Sequence, residues 1–95
     1  MPSLQQLKYV TLVAETLHFR RAAERAHVTQ PTLSAQLSKL EQERGVQLVE
    51  RSRTRVVMTP EGEEIAARAR RILAEVDEIA EIARRGQTRL TGTIR

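Results

Sequence analysis

The chain has 95 residues, 40% hydrophobic and 29% charged, which suits one small globular domain and is too apolar for a wholly disordered chain. With no cysteine, one Phe, one Tyr and no Trp, it excludes disulfides, thiol catalysis and Cys-ligated metal centres within itself, and aliphatic side chains must supply the core. The net charge of +4 lies in residues 1–60, while residues 61–95 hold seven charges of each sign, so the first two-thirds either faces an anionic partner or is simply a basic soluble surface.

Ser3 to about Thr16 is predicted as a helix. Ser3 caps it, and Gln6, three residues on, completes a capping-box pattern. Leu4, Leu7, Val10 and Ala14 form its apolar stripe, broadened by Leu12 and Val13. A short second helix runs from Arg20 to Ala26, with Ala22, Ala23 and Ala26 as a small-residue face and Phe19 as a core anchor. His27–Val28–Thr29 leaves room only for a tight turn. Thr29 then caps a third helix whose Pro31 sits in the first turn, where a missing N–H costs nothing. Leu33, Leu37 and Leu40 face the core, and Gly45 stops the helix.

Val46, Leu48 and Val49, then Val56, Val57 and Met58, are two β-prone runs around the basic loop Glu50–Arg55. They predict a β-hairpin wing, although no Asn-Gly or Asp-Gly turn fixes it. Thr59, Pro60 and Glu61 open a last helix with a cap, a first-turn proline and an acid at the dipole's positive end. Its seam of Ile65, Ala69, Ile72, Val76, Ile79 and Ala83 steps by four and three, the heptad pattern of a coiled coil. From Pro60 to Arg85 it is about 39 Å long at 1.5 Å per residue, too long to bury its whole stripe on a 60-residue head. A dimer coiled coil explains the stripe best, ahead of a fold-back core helix and a membrane-surface helix. Gly86 is expected to end the helix. The organisation is thus a head over residues 1–59, a linker helix over 60–86 and a truncated hinge over 87–95. The class is mainly α: a winged helix-turn-helix with a small β-hairpin wing and a long C-terminal linker helix. No apolar run is long enough to span a membrane and no signal-peptide core opens the chain, so a cytoplasmic location is expected.

The small-residue helix, tight turn and Thr-capped polar helix make one unit whose chemistry suits major-groove reading, although an ordinary helical hairpin with a polar face has the same spacing. Gln30 and Gln36 each carry a donor and an acceptor for adenine N6 and N7, and Thr32 and Ala35 suit a thymine methyl. Thr29 and Ser34 are placed for phosphate, helped by the helix N-terminus. Arg51, Arg53 and Arg55 form a wing tip able to straddle phosphates, or are solvated loop charges; Arg51 has the alternative of pairing with Glu41. Arg20 or Arg21 meets phosphate at the start of the second helix, the other being solvated. His18 is a cap or loop residue and His27 a half-buried turn residue. Neither has a metal-ligand spacing, and Glu61, Glu63 and Glu64 are explained by the helix dipole. No catalytic constellation, metal site or cofactor motif is present, so an enzyme is not expected.

The run from His18 to Glu41 closely resembles the winged helix-turn-helix domain of LysR-type transcriptional regulators. The resemblance continues through Gly45–Val46, Leu48–Arg51 and Thr59–Gly62 and covers essentially the whole chain. Within that family, His18–Ala23 and Thr29–Ser34 are most similar to the peroxide-sensing OxyR branch, which implies a link to oxidative stress. The resemblance implies an N-terminal DNA-binding domain, a dimerising linker helix and a C-terminal effector domain absent here, with double-stranded promoter DNA and a second copy as partners and a tetrameric parent. It places Gln30, Pro31, Thr32 and Ala35 against base edges; Thr29, Ser34, Gln36 and Lys39 on bases or phosphates; and Arg51 and Arg53 in the wing. Two departures stand out. His18 replaces the Ser common at that cap, and Ala35 is small where many relatives carry Arg, which shifts specificity toward thymine methyls and DNA shape. The competing reading is a coiled-coil dimerisation or protein-interaction module whose basic head is incidental.

Overall fold

The computed structural model describes residues 1–51 and 54–94, with side-chain surroundings through Arg89. Four helices follow in order: α1 (Leu4–Thr16), α2 (Phe19–Ala26), α3 (Gln30–Arg44) and α4 (Pro60–Ile94). Each start is chemically marked. Ser3 and Gln6 form a reciprocal capping box on α1, each bond 3.0 Å. His18 caps α2, Thr29 caps α3, and the Thr59 hydroxyl accepts the Gly62 amide at 2.9 Å in the first turn of α4.

The core lies where α1, α2, α3 and the start of α4 meet. Tyr9, Val10 and Val13 of α1 pack with Ala22 and Ala23 of α2, Leu33, Leu37 and Leu40 of α3, and Ala66 of α4. Leu48, Val49 and Met58 close it from the segment between α3 and α4. The alanine face of α2 lets α1 and α3 approach closely. Phe19 is half-buried at the core's edge. Leu4, expected on the buried stripe, is instead 49% exposed, because the face of α1 turned inward is centred on Leu7, Val10 and Val13.

Two expectations are corrected. The wing is not a formed hairpin: among the described residues its pairing is a single antiparallel bridge between Val49 and Met58. The Glu50 amide donates to the Val57 carbonyl at 2.8 Å and the Thr59 amide to the Leu48 carbonyl at 3.0 Å. Immediately beyond the bridge, the Arg51 side chain is drawn sideways onto Glu41 of α3. Gly86 does not end the last helix either. α4 continues for 35 residues to Ile94, about 52 Å, through the residues expected to form a hinge. An internal glycine costs only ~1 kcal/mol against alanine, and the Thr88 hydroxyl donates to the Arg84 carbonyl at 2.9 Å across this turn. The projecting helix gives the molecule its 61 × 23 × 19 Å dimensions.

Candidate nucleic-acid interface

The helix-turn-helix unit is α2, the His27–Val28 turn and α3. His27 adopts a left-handed conformation, φ 59°, and the Val28 amide donates back to the Ala23 carbonyl at 3.0 Å, a Schellman-type closure. Val28 packs against the core, which fixes how α3 leaves the turn. Because Leu33, Leu37 and Leu40 point inward, the opposite face of α3 is open. Gln30, Pro31, Thr32, Ala35 and Lys39 are all exposed on it. Gln42, not singled out from the sequence, is exposed there too; its spacing of seven from Ala35 and three from Lys39 is the signal that would have found it. Lys39 makes no ion pair among the described residues and is available to an anion.

Two of the expected contacts, Gln36 and Ser34, are partly turned into the fold. The Gln36 carboxamide oxygen accepts from Nε2 of Gln6 at 3.2 Å, so its side chain faces α1 rather than the open face. Gln6 is itself only 5% exposed, and this bond meets its otherwise buried donor. Thr29 is exposed, and its hydroxyl accepts the Thr32 amide at 3.3 Å and donates to the Thr32 hydroxyl at 2.8 Å. Ser34 is half-buried at the margin of the face.

The Arg51 guanidinium pairs with Oε1 of Glu41, while Oε2 of the same carboxylate accepts the Leu48 amide at 2.8 Å and the Val49 amide at 3.3 Å. Glu41 thereby ties α3 to the wing segment at three points. Of the two readings open for Arg51, the pair with Glu41 is the one present. Arg53 lies outside the described residues. Arg55 is exposed and borders a cleft of about 500 Å³ between the wing and the start of α2. Arg20 and Arg21 are exposed at that helix start, Arg20 lying 3.8 Å from Glu24 one turn on. No group of acids and histidines able to hold a metal occurs among the described residues, and none of their helices is long and apolar enough to cross a membrane.

The seam of α4 divides into two parts. Ile65 and Ala69 serve the head's own core or its border, Ala69 being 1% exposed, so the fold-back reading holds for the first turns. Beyond them, Ile72 and Ile79 are 44% and 66% exposed, with Val76 and Ala83 on the same stripe. Arg70 on the helix flank and Arg25 of α2 both reach Glu15 of α1, at 3.6 and 3.8 Å.

Residues 4–63 match the family described as bacterial regulatory helix-turn-helix protein, lysR family. The chain belongs to the lysR family. Its four helices are the helix-turn-helix DNA-binding domain of a LysR-type transcription regulator. Among lysR-family relatives it is 46% identical over 94 residues to the regulator EstR of Acinetobacter baylyi, covering 99% of this chain and 31% of EstR. Full-length OxyR from Pseudomonas aeruginosa superposes with a TM-score of 0.85 at 48% identity, over 88% of this chain and 28% of OxyR. The BenM DNA-binding domain, solved with benA site 1 DNA, superposes with a TM-score of 0.82 at 37% identity over 87% of this chain and 93% of that one. The chain therefore spans about 30% of the length of the curated lysR-family relatives it matches.

Proposed function

We propose that this domain binds pseudo-palindromic promoter DNA as a dimer, laying the start of α3 in a major groove at each half-site. The observation that carries the reading is the open face of α3. Gln30, Pro31, Thr32 and Ala35 are exposed in its first turns while every leucine of the helix is buried behind them. A helix presented this way fits a groove about 12 Å wide without any rearrangement of the head. The BenM domain, crystallised with DNA, shares the fold and supports the same use here. Gln30 pairs bidentately with adenine; Thr32 and Ala35 contact thymine methyls; Arg20, Arg21, Lys39, Arg53 and Arg55 meet the backbone. Gln36 contributes to specificity by holding α3 against α1, and Arg51 by holding the wing. The parent is an OxyR-like regulator of oxidative stress, its heads paired through antiparallel linker helices and its dimers assembled into a tetramer.

The deciding measurement is fluorescence anisotropy of a duplex carrying an interrupted AT-rich dyad against a scrambled duplex, at low and moderate salt. Tighter binding to the dyad that persists as salt is raised supports base reading; equal binding that collapses with salt supports only a basic surface. Gln30→Ala should remove about 1–3 kcal/mol of discrimination, roughly 5- to 150-fold, at one base position of each half-site and leave binding to scrambled DNA unchanged. An equal loss on both duplexes would take base reading away from Gln30.

Dimerisation is assigned to the exposed part of the seam, Ile72, Val76, Ile79 and Ala83. Ile79→Asp places a charge at the centre of that stripe, far from the head's core. Sedimentation should then give a monomeric mass where the parent chain gives a dimer, and the dyad duplex should lose its advantage over a single half-site. A dimer that survives the substitution would move the interface elsewhere.

A further inference from the structure

We propose that His18 is a DNA-backbone contact of this domain, donating from Nε2 to a phosphate oxygen at the mouth of the cleft between α2 and the wing. The inference rests on the DNA-binding reading above and adds to it a residue and a tautomer. Nδ1 of His18 accepts the Arg21 backbone amide at 3.2 Å. An imidazole nitrogen that accepts carries no proton, so this bond places the ring proton on Nε2. The backbone of His18 is pinned as well: Thr16 Oγ1 accepts its amide at 3.3 Å and donates to its carbonyl at 3.1 Å. The two ring nitrogens diverge. With Nδ1 turned into the first turn of α2, the Nε2–H faces away from the helix, and the side chain is exposed.

What it faces suits a phosphodiester. His18 borders the cleft with Arg20, Gln30, Thr54 and Arg55. Arg55 has no ion pair among the described residues, and Arg20 holds only the exposed contact to Glu24 at 3.8 Å. Gln30 connects the cleft to the open face of α3, so a backbone that follows the groove beside Gln30 passes its mouth. Glu50 and Arg51 also line the cleft. A serine cap also supplies the acceptor for the Arg21 amide, but its hydroxyl lies closer to the helix than Nε2 of an imidazole and reaches less far toward a phosphate. Histidine does both, one function per nitrogen.

The test separates the two functions. Ser and Asn are strong caps, so His18→Ser and His18→Asn should keep the melting temperature of the parent chain. Both should weaken binding to dyad and scrambled duplexes alike, by roughly three- to tenfold, the range of one hydrogen bond to phosphate. Arg55→Ala, by contrast, should lower the slope of log K against log salt by about one. Long-range 1H–15N spectra of the parent should show the Nε2–H tautomer and a shift of Nε2 on adding DNA. Parent-like affinity in His18→Ser, or an Nδ1–H tautomer in the free protein, overturns the proposal. Failure of the parent chain to bind either duplex at low salt overturns it together with the DNA-binding reading.

Discussion

Gly62→Ala should destabilise the domain by about 3 kcal/mol, lowering its melting temperature by roughly 10–20 °C. Gly62 lies in the first turn of α4, directly over the backbone of Leu48. A Cβ added there would stand 2.1 Å from the Leu48 carbonyl oxygen and 2.9 Å from its carbon. Relief requires one side to move, and Leu48 is held on every side. Its amide donates to Glu41, its carbonyl accepts the Thr59 amide at 3.0 Å, and its side chain is 1% exposed in the core. The first turn of α4 must therefore lift, loosening the Thr59 cap and the packing of Ala66 and Ala69 against α1. Gly86→Ala, the same substitution in the same helix, is the control of opposite sign. Its Cβ would meet nothing within 4 Å, so the gain in helix propensity, up to ~1 kcal/mol, should appear as added stability. Urea denaturation of both variants decides the matter. A Gly62→Ala protein within 0.5 kcal/mol of the parent would mean that α4 does not sit this close to the wing segment.

The contrast between these glycines shows how much of the fold could be read from the chain. Capping chemistry is local and was legible: Ser3 with Gln6, Thr29 with Pro31, and Thr59 with Pro60 mark three helix starts within a residue. The core leucines of α3 were equally plain, because a period of 3.6 needs no knowledge of the partner surface. Long-range partners were not legible. Gln36 looked like a base reader because its type and position suited one, and nothing local reveals Gln6, thirty residues upstream, bonding to its oxygen. Among the described residues the wing pairs only through Val49 and Met58, and Arg51 just beyond that bridge turns to Glu41, a long-range partner that a strand-propensity argument does not include. Gly86 resembled a stop because glycine near a change in composition usually is one, yet a single internal glycine is within the tolerance of a helix this long. Gly62 left a usable trace: a glycine inside a clearly capped first turn has no capping task, which points to close backbone approach. The open face of α3, and with it most of the candidate interface, followed from helical spacing alone. His18 was legible as a cap, but the direction of its second nitrogen required the structure.

Glu41→Ala should weaken DNA binding more than the loss of any one phosphate contact, although Glu41 touches no DNA in the proposed arrangement. Its carboxylate side chain is only 10% exposed and serves three donors at once: the Leu48 and Val49 amides and the Arg51 guanidinium. Truncation leaves two buried amides without an acceptor and frees Arg51 from α3. Unmet backbone donors cost about 1–3 kcal/mol each before relaxation. Because the Arg51 side chain is 39% exposed and can regain water, its share is smaller. A net loss of about 2–3 kcal/mol in stability is expected. Glu41→Gln separates position from charge, since its amide oxygen can still accept from the backbone while the ion pair to Arg51 is lost. That variant should retain most of the stability, with the wing less firmly held. If the Glu41 clamp sets the wing's position, Glu41→Gln should bind scrambled and dyad duplexes more weakly by a similar factor, because the wing contacts backbone, and should preserve the preference conferred by Gln30. Anisotropy on both duplexes, alongside thermal melting, reads these outcomes separately. Parent-like affinity in both Glu41 variants would show that the bridge between Val49 and Met58 positions the wing without help from α3.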